Sequence, residues 1–167
     1  MRVMGIDCGS EYTGFGVVEE LIDGRLICHA TGAIQLKKGS PMAARLQKIF
    51  SDLTAIIAEH RPEIVAIEDV FYAVNVKTAL KLGQVRGVAM LAASSSGLPV
   101  AEYSPLSIKS AVVGYGRAEK EQVQLMVTRL LNLDVPPEPM DASDALAIAI
   151  CHIHTASTNN RYQAATR

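Results

Sequence analysis

The first forty residues alternate between short β-rich runs and clusters of turn residues. Residues 2–7 and 13–20 form two such runs, separated by Cys8-Gly9-Ser10-Glu11-Tyr12, and Asp23-Gly24 divides the second from a third at residues 25–36. Asp-Gly between two β-rich runs is a strong hairpin signal, so the pattern predicts a three-stranded antiparallel meander. From Ser40-Pro41 the period changes. Met42, Leu46, Ile49, Phe50, Leu53, Ile56 and Ile57 recur at helical spacing, which predicts a helix capped by Ser40, opened by Pro41 and ended at Arg61 before Pro62. Ile64-Val65-Ala66-Ile67-Glu68 is a continuous apolar run closed by an acid, as expected of a strand buried on both faces.

A helix is predicted over residues 75–94, with Val76, Ala79, Leu80, Val85, Val88 and Leu91 apolar and Lys77, Lys81, Gln84 and Arg86 polar. Gly83 and Gly87 sit one turn apart inside it. Each costs about 1 kcal/mol against Ala in a helix interior, which the close approach of another backbone would justify. A strand at 99–103, a helix capped by Ser104-Pro105 and running to 113, and a loop at Gly114-Tyr115-Gly116 come next. A second amphipathic helix at 118–131, a rigid connector at Pro136-Pro137-Glu138-Pro139 and a last helix from 141 to about 154 complete the pattern, with a polar, frayed tail from Thr155. This order predicts an α/β fold, a five-stranded mixed sheet flanked by helices. One domain over residues 1–157 and a polar, flexible tail at 158–167 are expected, with no internal repeat or linker.

Composition narrows the class. A chain of 167 residues with 49% hydrophobic and 20% charged content suits one globular domain, and it should bury roughly 70% of its unfolded surface. Cys8, Cys28 and Cys151 are odd in number and form no Cys-x-x-Cys pair, so a reducing compartment is expected. Asp7 and Glu11 lie where a signal peptide would be basic and then apolar, and no apolar stretch is long enough to span a bilayer. These features predict a soluble cytoplasmic protein with no membrane partner. The formal net charge is -1, so the totals advertise no nucleic-acid partner.

Four acids stand out by position. Asp7 and Glu68 each end a predicted strand, and neighbouring strands of like direction would bring both to one edge of the sheet, where open α/β sheets place their ligands. Asp141 and Asp144 are spaced i and i+3 at the start of the last helix, on one of its faces. Strand-end solvation for the first pair and N-terminal capping for the second are the ordinary explanations. The rest of that helix, Ala145-Leu146-Ala147-Ile148-Ala149-Ile150, is apolar nearly all round, so it is buried and carries its aspartates toward the sheet edge. Four converging carboxylates repel unless protonated or neutralised, and hard divalent cations do the latter with oxygen ligands. Two Mg²⁺ ions about 3.5–4 Å apart form the arrangement that cuts phosphodiesters.

The acids lie within longer motifs. Gly5-Ile6-Asp7-Cys8-Gly9 with Thr13-Gly14, Ala66-Ile67-Glu68-Asp69-Val70-Phe71, and Ala79-Leu80-Lys81-Leu82-Gly83-Gln84-Val85-Arg86-Gly87-Val88-Ala89 are three of them. Lys109 with Val112-Val113-Gly114, Ala118-Glu119-Lys120-Glu121-Gln122-Val123 and Asp141-Ala142-Ser143-Asp144-Ala145-Leu146-Ala147 are the others. From Met4 to about His154 the chain resembles the RuvC family of bacterial Holliday junction resolvases.

The resemblance implies an RNase H-like fold, a homodimer and nicking of two opposed strands of a four-way DNA junction, with 5'-phosphate and 3'-hydroxyl ends. It also implies two Mg²⁺ ions per site, with Mn²⁺ able to substitute, and the RuvA and RuvB branch-migration complex as partners. Asp7, Glu68, Asp141 and Asp144 match the family's metal-binding tetrad, Lys109 and Lys120 its active-site and DNA-contacting lysines, and Phe71 the aromatic that engages bases near the crossover. Cys8 departs from the family, which usually has proline after the first aspartate.

The resemblance directs attention to regional charge. Residues 72–130 carry a net +4 and the remainder -5, so Lys77, Lys81, Arg86, Lys109 and Lys120 are the candidate phosphate contacts, although any one of them also reads as part of a solvated face. Phe71 reads by itself as a core residue, and between a strand end and a helix it is also placed to stack on an unpaired base. Junction two-fold symmetry calls for two related active sites, and the helix bearing Ala79, Gly83 and Gly87 is the candidate dimer contact, with packing on its own sheet as the simpler alternative. Cys151-His152-Ile153-His154 lacks the second half of a zinc site; its histidines are expected to serve the helix C-terminus. An actin-like ATPase or sugar kinase would need two such domains. A non-catalytic junction-binding module and another RNase H-like nuclease are the remaining readings.

Overall fold

The structure, a computed structural model, describes residues 1–69 and 75–165. Its first strands are β1 (Arg2–Cys8), β2 (Tyr12–Glu20) and β3 (Leu26–Gln35), followed by α1 (Met42–His60), β4 (Ile64–Glu68), α2 (Val76–Ser95) and β5 (Val100–Tyr103). Three helices end the chain: α3 (Pro105–Val113), α4 (Lys120–Leu130) and α5 (Met140–Ala165). The strands form a five-stranded sheet of order β3-β2-β1-β4-β5. The pairs β1·β2 and β2·β3 are antiparallel, whereas β1·β4 and β4·β5 are parallel. The meander and the mixed sheet are as the pattern predicted.

Strand alternation assigns the two faces. Met4, Ile6, Val17, Val65 and Ile67 pack with Ile49, Leu53 and Ile57 of α1 and Val85 and Ala89 of α2. Val3, Val18 and Ala66 point the other way, into a layer formed by α3, α4 and α5. Asp7 follows the parity of Val3, and Glu68 that of Ala66. Both therefore face the α5 side.

Helix ends follow local chemistry. Arg61 takes a left-handed conformation at φ 48° and its amide donates to Ile57 O, stopping α1 before Pro62. Asn75 and Ser104 cap α2 and α3 by accepting from the amides of Thr78 and Ser107. Ser40 does not cap α1: its hydroxyl donates to Lys37 O at 2.6 Å, and Pro41 holds the cap position without a side-chain bond.

The largest departure from the sequence pattern is at the end. The last helix does not stop near residue 154 but continues to Ala165. Within it Thr155 Oγ1 donates to Cys151 O and Thr158 Oγ1 to His154 O, both at 2.8 Å, so these hydroxyls find acceptors one turn back without leaving the helix. The Ser157 hydroxyl also reaches the Glu20 carboxylate at 3.0 Å. His152 and His154 are consequently mid-helix and serve no C-terminal dipole. The Tyr103 hydroxyl and His152 Nδ1 bond at 2.8 Å, and His154 Nδ1 bonds Ala111 O at 3.0 Å. Burial holds the His152 pKa below its usual value.

Candidate active site

The site grows from the parallel pair. Register between β1 and β4 ends at Ile6 beside Ile67, so Asp7 and Glu68 are the next residues on adjacent strands and share a face. Asp7 is opposed across β2 by Gly14. The third side is α5, which lies close against the sheet because the strands beneath it are built with glycine. A Cβ on Gly14 would meet the carbonyl of Asp141, and one on Gly5 would meet the Ala145 carbonyl and stand 2.7 Å from Ala149 N. On Gly16 it would fall 2.6 Å from Leu146 Cδ2. Three missing side chains let the helix backbone settle onto β1 and β2, which sets Asp141 and Asp144 beside Asp7.

Sequence reading placed the close approach at Gly83 and Gly87. Among the described residues it is elsewhere: beyond the helix's own backbone, no atom lies within 4 Å of a Cβ built on either residue. The sequence signal for the true location is the alternation of glycines at 14 and 16 of a β-rich run.

Asp7, Glu68 and Asp144 line a cleft of about 300 Å³ together with Lys109 and Lys120. Asp141 stands at its margin over the β1–β2 turn, its Oδ1 3.5 Å from the Cβ position of Gly9. The four acids converge without closing into a cage: among the described residues no three His, Cys, Asp or Glu side chains form a metal-binding group. Their fields are nevertheless shared. Burial first, and then the charges of Asp144, Glu68 and Asp141, push the Asp7 pKa up to about 7. Burial and Asp144 also raise that of Glu68.

The cations differ in their surroundings. Lys120, the first residue of α4, puts its Nζ 2.6 Å from Asp144 Oδ2. Burial opposes its charge, but the bond to Asp144 and the charges of Asp144, Asp7 and Asp141 outweigh that, so its pKa is raised. Lys109 of α3 lies in the cleft wall and favours ionisation of Glu68. Lys77 and Lys81 are exposed on α2. Arg86, on the same helix, instead pairs with Asp69 and Glu102. Phe71 lies outside the described residues. Cys8 continues β1, pairs with Thr13 and packs on the face opposite Asp7, where burial pushes its thiol up to about 12.

On α2, Gly83 and Gly87 are exposed and Ala79 is half-buried. Val76, Leu80 and Leu91 flank them at 76%, 65% and 55% exposure, making an apolar strip that nothing among the described residues covers.

Comparison with known proteins gives the arrangement a family. The sequence profile described as "Crossover junction endodeoxyribonuclease RuvC" matches residues 3–152. A protein of that name from Koribacter versatilis is 65% identical over 164 residues, covering 98% of this chain and 99% of the relative. The Thermus thermophilus RuvC structure superposes with a TM-score of 0.88 at 34% identity, covering 95% of this chain and 97% of that one. A structure of the T. thermophilus protein in complex with Holliday junction substrate gives 0.87 at 32% identity, covering 95% and 96%. The shared fold is the RNase H-like one that the motifs implied. From β1 to the middle of α5, the chain belongs to the RuvC family of crossover junction endodeoxyribonucleases.

Proposed function

We infer that the chain is an endonuclease that resolves Holliday junctions by paired nicks in two opposed strands near the crossover, in homologous recombination and repair. The carrying observation is the cleft in which Asp7, Glu68 and Asp144 meet Lys109 and Lys120. A carboxylate cluster beside lysines suits hydrolysis of a phosphodiester: the acids gather positive charge at the cleavage point, and the lysines meet the phosphate. The T. thermophilus complex supports four-way junction DNA as the substrate.

The family is one of metal-dependent nucleases, and the donors here fit a hard divalent cation. They are oxygen donors only, and three of the acids raise the pKa of the fourth, a repulsion that such an ion relieves. Mg²⁺ is the proposed metal, two ions per site, with Mn²⁺ able to replace it and Asp7, Glu68, Asp141 and Asp144 as the holding residues. When bound, divalent ions supply Lewis-acid chemistry, activating water and stabilising the leaving oxygen. Lys120 exchanges its bond to Asp144 for the phosphate, and Lys109 adds charge from α3. Lys77 and Lys81 contact flanking phosphates, and Phe71 engages bases at the crossover. The products are 5'-phosphate and 3'-hydroxyl ends.

Two nicks need two sites, so the working form is a homodimer. The strip of Val76, Leu80, Gly83, Gly87 and Leu91 on α2, with Ala79 beside it, is its contact surface. RuvA and RuvB deliver the junction, and the work is done in the cytoplasm; no helix among the described residues is long and apolar enough to cross a membrane. Residues 1–157 make the nuclease domain.

The test is a synthetic four-way junction with Mg²⁺, comparing the wild type with Asp7→Asn. Symmetric nicking by the wild type and none by the variant is expected. Equal cleavage by both would remove Asp7 from the site, and plain duplex cut as readily as junction would overturn the resolvase reading.

A further inference from the structure

Behind the acidic edge, on the other face of the sheet, Arg86 of α2 reaches two carboxylates. Its Nη2 lies 3.3 Å from Asp69 Oδ1 and pairs with Glu102 Oε2. Asp69 directly follows Glu68, and its amide donates to Tyr103 O at 2.8 Å, which carries the β4·β5 ladder one step past the acid. Glu102 is paired in register with Ile67, which packs toward α1 and α2. Alternation thus sends Glu68 toward α5 and its neighbours Ile67 and Asp69 toward α2.

We propose that Arg86 is a positioning residue for junction cleavage: it ties the C-terminal ends of β4 and β5 to α2 and so holds Glu68 beside Asp7. The proposal rests on the reading of Glu68 as a site carboxylate. Three observations carry it. The Arg86 side chain is only 19% exposed, whereas Lys77 and Lys81 stand in solvent on the same helix. Its single charge already faces two acids, so an approaching phosphate would meet net negative charge. Both contacts run through one nitrogen, Nη2, so a single cationic centre joins the carboxylate that follows β4 to one on β5.

Partly exposed ion pairs add little global stability, so the effect belongs in the placement of Glu68. Displacement of a catalytic group by about 1 Å costs roughly 10²-fold in rate. The same tie couples Glu68 to α2, the helix assigned above to the dimer contact.

The experiment uses the full chain as wild type, Arg86→Met, Arg86→Lys and the double variant Asp69→Asn with Glu102→Gln. Cleavage of a four-way junction with Mg²⁺ gives kcat and KM, junction affinity is measured in EDTA, and amide exchange reports Asp69 and Ile6. For Arg86→Met and for the double variant, kcat should fall about tenfold to 10²-fold with KM and affinity within about twofold. The Asp69 amide should exchange faster in both while that of Ile6 does not, and Arg86→Lys should recover part of kcat. Weakened junction affinity at unchanged kcat would make Arg86 a DNA-contacting cation and overturn the proposal. Unchanged kcat in the double variant would overturn it too, even if Arg86→Met were merely unfolded. A wild type that cuts no junction would sink the nuclease reading instead, and the exchange rates would still decide whether the tie exists.

Discussion

The carbonyl of Asp141 occupies the space that a side chain on Gly14 would fill. One missing methyl group on β2 thereby fixes how deeply α5 sits, and with it the distance between acids contributed by the first strand and the last helix.

Gly14→Ala should therefore lift the start of α5. Overpacking of this kind costs about 1–3 kcal/mol, and because the displaced backbone belongs to Asp141, cleavage should fall by more than the folded fraction does. Urea unfolding together with junction cleavage at a temperature where the variant is fully folded separates the two. Full cleavage by a stably folded Gly14→Ala protein would remove the glycine floor from the account.

Asp7 makes metal-free stability depend on pH. Its pKa is raised from 3.8 to about 7, so the folded state holds the proton more tightly than the unfolded chain. Its stabilising contribution is fully present below the unfolded value, declines as pH rises from there, and is lost above the folded value near neutrality. Asp7→Asn lacks this decline. In EDTA the variant should match the wild type near about pH 4 and exceed it by roughly 2–4 kcal/mol at about pH 8. A denaturant series at both pH values checks the sign, and equal stability at the higher pH would contradict it.

Lys77 and Lys81 stand in solvent without an ion-pair partner among the described residues. Neutralising either should weaken binding to junctions of any sequence alike and lower the slope of log affinity against log salt by about 1. Titrations at several salt concentrations in EDTA measure this. An unchanged slope would return the residue to an ordinary solvated face.

Leu80→Lys places a charge in the exposed strip of α2. It should shift sedimentation from dimer to monomer, leave the fold intact because Leu80 is 65% exposed, and convert paired incisions into single nicks. A dimer that persists would move the contact to another surface.

Much of this was legible in the residues. Period-2 and period-3.6 patterns delivered the meander, β4 and the order of the helices, and the convergence of Asp7 with Glu68 followed from parallel neighbours alone. What periodicity could not convey was depth. Gly5, Gly14 and Gly16 look like breaks in a strand until a helix is laid on them, and Gly83 and Gly87, which look like a packing surface, meet no other element among the described residues. Charge counting groups Arg86 with the lysines because it does not say which face of α2 the residue occupies, and only the third dimension brings Asp69 and Glu102 to it. The length of α5 is not legible because no hydrophobic period runs past residue 154, where Thr155 and Thr158 turn their hydroxyls back onto helix carbonyls and do not end it.

The arrangement of the sheet has a further consequence, for the order in which the molecule becomes dangerous. Asp7 is made before Asp141 and Asp144, which follow every strand among the described residues. Domains fold as units, and contacts this far apart in sequence close late. A chain interrupted before α5 would carry Asp7 and Glu68 without the helix that lies over β1 and β2 and without the acids of that helix. The complete set of four acids thus exists only once α5 has been added to the strands.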